Sequence, residues 1–175
     1  YERLAERVID VGGRRVIPGL NDSHIHAVRG GNSWARSVHW ESVRSIDEAL
    51  DTVRTAASGL PAGEWISVVG GWHRSQLREG RIPERAELDD AAPTHPVYVQ
   101  ELYDVGVLNT AGLRACGFAD AADDPPRGRL ERDDTGAPTG RIHGVGAFAV
   151  PLALALAADA EQSRDGIRTM FAEFA

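Results

Sequence analysis

The sequence predicts an α/β fold. Short apolar runs of strand length alternate along the chain with segments whose apolar residues recur at helical spacing. Glycine and proline pairs punctuate them at Gly12-Gly13, Pro18-Gly19, Gly30-Gly31 and Gly70-Gly71. With 175 residues, 42% hydrophobic and 26% charged, the chain is long enough to bury a core and polar enough to face water.

Residues 8–11 alternate and read as a strand, Gly12-Gly13 as a two-residue turn, and residues 14–17 as the antiparallel return. Residues 21–28 read as a further strand, broken by Gly30-Gly31. Ser45 and Glu48 have the spacing of a capping box, and Ile46, Leu50, Val53 and Ala57 continue it as a helix to about Ser58. Residues 65–69 form a buried strand, Pro83 opens a short helix through Leu88, and residues 97–100 form another strand. Residues 107–115 read as a helix capped by Gly117. A hairpin follows, with arms at 129–132 and 139–142 around Asp134-Thr135-Gly136. Two helices close the sequence. Residues 145–156 are apolar and kinked at Pro151; the last helix starts at Ser163, with Ile167, Met170, Phe171 and Phe174 on one stripe.

Composition excludes several function classes. A net charge of −7 and a pI near 5.3 argue against nucleic acid as a partner, because phosphate binding needs a basic surface. Every basic residue is arginine, so no lysine can act as a carboxylated bridge between two metals. The single cysteine, Cys116, rules out an internal disulfide and a cysteine-based zinc site, and its apolar neighbours predict an inert thiol. The apolar run 145–158 is too short to span a bilayer, so no membrane partner is expected. With no leader-like segment at the start, a cytoplasmic location is the expectation.

His24 and His26 carry the clearest chemical signal. Residues i and i+2 of a strand share a face, so both imidazoles can reach one ion, and imidazole suits zinc and its first-row neighbours. A bare His-x-His also arises as a surface or packed pair. Asp22 either orients a ligand imidazole or caps a turn. Trp72, after Gly70-Gly71, walls a substrate pocket or packs in the core. Tyr103 and Asp104 follow a strand directly and open a helix, so Asp104 either meets substrate or is an N-cap. His73 reads as a polar loop residue. His39, His95 and His143 lack partners at ligand spacing, and His95 reads as a surface-loop residue.

Beyond 16–26, the sequence holds the words Val69-Gly70-Gly71-Trp72, Arg81-Ile82-Pro83 leading to Ala92-Pro93, Leu102-Tyr103-Asp104, Leu108-Asn109 and Asp124-Pro125-Pro126. Arg132-Asp133 and Gly136-Ala137-Pro138-Thr139-Gly140 follow. In their order and spacing these words resemble the N-terminal part of an amidohydrolase. The subgroup is the amidohydrolase family 3 members related to the N-substituted formamide deformylases.

That resemblance implies a composite architecture. Residues 1–20 would be a β-sandwich segment and 21–30 the first strand of a metal-dependent hydrolase (β/α)8 barrel. Residues 31–145 would be a large α/β insertion covering the barrel mouth, and 146–175 helices leading to the missing barrel strands. A whole barrel takes about 250 residues, so the barrel is incomplete in this chain. The resemblance also implies hydrolysis of carbon–nitrogen bonds other than peptide bonds, through metal-activated water, with a small-molecule amide-type substrate. His24 and His26 would hold a divalent metal, zinc foremost. Trp72, Tyr103 and Asp104 would contact substrate, and an aspartate general base would lie beyond Ala175. Many relatives carry Asp-Gly-His where this chain has Leu102-Tyr103-Asp104, which places Asp104 at the histidine position.

The fragment alone is expected to be inactive, and self-association stays open. Two other readings accompany the enzyme. One is a non-enzymatic remnant or interaction module; the other is a compact metal-binding domain completed by His39 or His143.

Overall fold

Strands Ile66–Val69 (β1), Val97–Glu101 (β2), Val105–Leu108 (β3), Arg129–Arg132 (β4) and Pro138–His143 (β5) form one sheet in the order β1-β2-β3-β5-β4. This is a computed structural model, and it describes residues 7–19 and 21–175. Part of the expected sandwich segment, residues 1–6 and 20, lies outside them. The fold is mixed α/β, as the alternation of patterns predicts.

β1 and β2 are parallel, with Ile66 opposite Val97, and every other pairing is antiparallel. A parallel pair needs a crossover. Here the crossover carries the helix Arg85–Ala91 (α3), whose Leu88 is fully buried. Every residue of β2 is buried, as expected of a central strand covered on both faces.

Helix Ile46–Gly59 (α2) forms where its period places it. The Ser45 hydroxyl accepts from the Glu48 N–H at 3.2 Å. The reciprocal half of the box is displaced, since Glu48 accepts from Arg44 N–H instead, at 2.7 Å. The buried face of α2 joins Trp40, Val68, Trp72, Leu88 and Val99 in the larger core. Tyr98, Leu108, Phe118, Ile142 and Phe148 build a second core on the opposite face of the sheet, since Tyr98 and Leu108 alternate along their strands with Val97, Val99 and Val107 of the first.

Several sequence expectations need correction. Residues 107–108 are strand, and the helix here is only Thr110–Ala115 (α4). Val105-Gly106-Val107 is a poor helix former, and pairing to both β2 and β5 outweighs the local apolar spacing. α4 starts at Asn109, whose fully buried side chain accepts from Gly112 N–H (2.8 Å) and Val97 N–H (2.9 Å) and donates to His95 O (2.9 Å). His95 is therefore not in a surface loop. It is 3% exposed, and its Nδ1 bonds the Glu64 carbonyl at 3.0 Å.

Near the start of the chain the turn forms without its strands. Gly12 and Gly13 take φ of +58° and +76°, and Arg14 N–H bonds Val11 O at 3.1 Å. Residues 8–11 and 14–17 are exposed and extend no ladder; a two-stranded ribbon is marginal without a surface to cover. The strand expected at 21–28 is likewise absent. Asp22 Oδ1 accepts the His24 N–H at 2.9 Å, a local turn that competes with extended pairing, and residues Ala27–Gly31 form a short helix (α1).

The hairpin β4–β5 forms around its Asp-Thr-Gly turn as predicted. The apolar helix Val145–Ala155 (α5) runs through Pro151, and the chain then bends by 102° into Ala160–Phe174 (α6). α6 begins three residues before the expected Ser163, because Asp159 caps it by accepting from Glu161 and Gln162 N–H groups. Among the described residues no single helix is long and apolar enough to cross a membrane.

α1 lies against α6 through two glycines. A Cβ on Gly31 would stand 2.6 Å from Ile167 Cγ1, and one on Gly166 would stand 2.2 Å from the Gly31 carbonyl oxygen. Gly166→Ala is therefore expected to lower stability by about 1–3 kcal/mol, despite the better helix propensity of alanine. Urea unfolding checks this: a midpoint equal to or above that of the unaltered chain would contradict the close crossing.

Candidate active site

The parallel strands β1 and β2 both end at one place, and a cavity of about 560 Å³ opens there. Crevices outside the carboxyl ends of parallel strands are where open α/β sheets bind ligands. Gly70 and Gly71, directly after β1, form part of the wall with φ of +79° and +73°. Leu102 and Tyr103, directly after β2, form another part. The size falls within the range of small-molecule pockets.

His26 lines this cavity, and α1 begins immediately after it. The rings of His24 and His26 are 5.4 Å apart between centroids, at an interplanar angle of 78°. Two imidazoles bound at about 2.0–2.1 Å to one tetrahedral ion would hold their centroids about 5 Å apart, so the pair fits the shared-ion arrangement. Among the described residues no group of three or more His, Cys, Asp or Glu side chains could hold a metal. His24 and His26 thus stand as a close pair without a third candidate ligand beside them among the described residues. They come together in a loop, where the sequence reading had placed them on a strand.

The other histidines are committed elsewhere. His39 also lines the cavity, but its Nε2 faces the Trp34 carbonyl at 3.0 Å and its Nδ1 faces Glu41 Oε1 at 3.4 Å. His143 lies 3.3 Å from Asp104 O and 3.4 Å from Glu131 Oε2. His73 caps a short 3-10 turn, Arg74–Gln76, by accepting from Ser75 N–H at 3.1 Å.

Trp72, Tyr103 and Asp104 take three different positions. Trp72 is 4% exposed, stacks edge-on against Trp40 at 4.8 Å, and donates from Nε1 to Gln100 O at 3.1 Å. Its ring belongs to the core, while Gly70 and Gly71 before it reach the cavity. Tyr103 is in the cavity wall. Asp104 ends the loop Leu102–Asp104 between β2 and β3, so it precedes a strand and is not a helix N-cap.

Asp104 Oδ2 instead bonds Arg74 Nη2 at 2.5 Å. The same guanidinium holds Glu101, whose side chain is 1% exposed, from Nε at 2.7 Å and also from Nη2. The Arg74 N–H donates to Glu101 as well, at 2.5 Å. Burial alone would push the Glu101 carboxyl upward. The hydrogen bonds and charge of Arg74 outweigh burial and hold it below the usual carboxylate range. Arg74 and Glu101 escaped the sequence reading. The one available signal was an acidic residue closing a largely apolar strand, immediately before Leu102-Tyr103-Asp104.

Two further segments complete the cavity. Trp34 lies against Phe174 at 5.3 Å and donates to Glu173 Oε2 at 2.8 Å, so α6 supplies part of the wall. Leu152 and Leu156 contribute from α5 and its end. Cys116 lies away from this site, and burial pushes its thiol up to about 12, consistent with an inert side chain.

A model of the amidohydrolase family matches residues 7–175. The chain is 32% identical over 137 residues to the N-substituted formamide deformylase of Arthrobacter pascens, a match covering 77% of this chain and 25% of that protein. It is 31% identical over 135 residues to Protein LONG AFTER FAR-RED 3 of Arabidopsis thaliana, covering 77% of this chain and 23% of that one. The chain thus spans about a quarter of the length of these curated relatives. A crystal structure of a metal-dependent hydrolase from Pyrococcus horikoshii OT3 superposes at a TM-score of 0.44 with 23% identity. It covers 84% of this chain and 23% of that one, too loose a likeness to bear on the fold.

Arg74→Met is expected to cost about 3–5 kcal/mol at neutral pH, because it leaves a buried carboxylate unpaired. The folded pKa of Glu101 is lowered, so its stabilisation is present above the unfolded value of about 4.3 and is lost as pH falls through the folded value. The gap between the two proteins should therefore narrow below about pH 4. Chemical unfolding at several pH values measures it, and a gap constant from neutral to pH 3 would refute the pairing.

Proposed function

The chain belongs to the amidohydrolase family, and from that premise we propose that it forms part of a metal-dependent hydrolase of carbon–nitrogen bonds other than peptide bonds. One observation carries the reading. His26 of the paired histidines lines the cavity at the ends of β1 and β2, beside the apolar tip Leu102-Tyr103. A candidate metal position and a substrate-sized space therefore adjoin.

His24 and His26 would hold a divalent cation, with zinc as the first choice for paired imidazoles. When bound, the cation supplies Lewis acidity toward a carbonyl and lowers the pKa of water. The chain's own residues bind and orient. Leu102, Tyr103, Trp34 and Phe174 enclose the apolar part of a small amide and exclude water from it. Gly70 and Gly71, without side chains, let a substrate approach the backbone at the end of β1. A catalytic zinc usually has three protein ligands, so the remaining ligand and the general base would come from outside residues 1–175. The incomplete barrel follows from the same reading. The name of the Arthrobacter relative points to N-substituted formamides as one substrate type.

A second reading, an interaction module without chemistry, is favoured by apolar side chains left in solvent. Val16 is 73% exposed, Val28 68% and Phe174 61%. In this reading these side chains would meet a partner.

A polypeptide extending past Ala175 is expected to hydrolyse a neutral N-substituted amide, to lose activity on chelation and to regain it with zinc. His24→Ala or His26→Ala should lower kcat/KM about 100-fold or more. Activity unaffected by chelation would sink the reading. Residues 1–175 alone should be inert, and amide cleavage by them would show that the ligand set is complete within this chain.

A further inference from the structure

The two outer strands of the sheet differ in what lies beside them. β1 is flanked by the segment before α2, where Val38 N–H bonds Ser67 O at 2.8 Å. β4, at the other end of the order, has no backbone partner on its outer side among the described residues. An edge of this kind presents unpaired N–H and C=O groups and can accept a further strand.

Two side chains occupy that edge. Leu130 stands opposite Ile142 of β5, but its own N–H and C=O turn away from β5. Asp124 Oδ1 accepts the Leu130 N–H at 2.9 Å, and Arg132 Nη1 donates to Leu130 O at 3.0 Å. The same Nη1 donates to the same Oδ1 at 3.0 Å, and Arg132 Nη2 donates to Ala121 O at 2.9 Å. The carboxylate thus supplies an acceptor, and the guanidinium a donor, where a neighbouring strand would supply a carbonyl and an N–H. The Leu130 N–H and then Arg132 hold the Asp124 carboxyl below the usual carboxylate range, which keeps it charged and accepting. Pro125 and Pro126, next in the segment, have no N–H with which to extend a ladder. The irregularity in β4 between Leu130 and Arg132 confines the outward groups to this one residue.

The edge beneath the pair is complementary to itself. In an antiparallel ladder one residue exchanges both of its bonds with the residue opposite. Two copies of β4 related by a two-fold axis at Leu130 would let each Leu130 N–H reach the carbonyl of the other. That register brings Arg129 of each copy beside Glu131 of the other, a cross-strand pair of opposite charge made twice. The Leu130 side chain stays 3% exposed in the core, so only its backbone is offered.

We propose that the Asp124–Arg132 pair is an intramolecular stand-in for a neighbouring strand, and that it keeps a self-complementary edge of β4 closed to a second copy of this chain. The two side chains are 42% and 23% exposed, so the pair can leave the edge without opening the core.

Sedimentation velocity of the full chain over a range of concentrations tests it. Asp124→Ala together with Arg132→Ala uncovers both Leu130 groups, and should lower the dimer dissociation constant about tenfold or more relative to the unaltered chain. Asp124→Asn keeps an acceptor oxygen and should sediment as the unaltered chain does. Adding Arg129→Glu to the double variant sets like charges against Glu131 of the second copy and should reverse the gain. Adding Arg168→Glu instead, an equal change of charge on exposed α6, should leave the dimer in place. A double variant that sediments as the unaltered chain does would overturn the proposal. So would an Asp124→Asn chain as dimeric as the double variant, or a dimer equally sensitive to Arg168→Glu, which would mark association by a loosened fold or by net charge alone. Should the double variant lose its helical circular-dichroism signal, Asp124→Ala alone, with Arg132 still holding Ala121 and Leu130, carries the same outcomes.

Discussion

The carboxylate of Glu101 is the constraint on which the site depends. It closes a strand whose every residue is buried and is itself 1% exposed. A buried charge without a partner is far more costly than the pair is favourable. Arg74 must therefore reach it, which draws the segment after β1 to the end of β2. With the β1–β2 ladder, which sets Val69 beside Gln100, and the Gln100 bond to Leu102 O, that requirement fixes where Gly70-Gly71 lies and where the Leu102–Asp104 loop turns. The cavity lies between segments positioned in this way.

Family words in the sequence resolve into distinct physical jobs. Leu108-Asn109 is a bracket: one buried amide satisfies backbone groups of β2 and α4 and the segment at His95. Asp124 serves the β4 strand by accepting from Leu130 N–H and from Arg132. Asp133 closes the Asp-Thr-Gly turn through Thr135 and Ala137 N–H groups. Only the words at the ends of β1 and β2, with the paired histidines, touch the cavity. Most of the resemblance thus encodes the scaffold, and a smaller part encodes the candidate chemistry.

Legibility differed between local and non-local features. α2 and the β4–β5 hairpin were readable because a cap, a period and a turn residue coincide in one short window. Val107 and Leu108 were misread as helix because their pairing partners lie in β2 and β5, distant in sequence. The strand through His24 was expected from the apolar run after the Pro18-Gly19 turn, yet the Asp22 turn and the lack of an adjoining strand among the described residues favour a loop. Trp72 stood equally for pocket or core by composition; its contact with Trp40 places it in the core.

By itself the sequence determined the α/β class, the acidic surface, the paired histidines and the family, because these rest on composition, local spacing and ordered words. Only the tertiary structure decided that His26 shares a cavity with the Leu102-Tyr103 tip, that Arg74 is the counter-charge of Glu101, and that Asp104 is a loop anchor. Each of those brings together residues 27 or more positions apart, and the desolvation of Glu101 exists only once the sheet has formed.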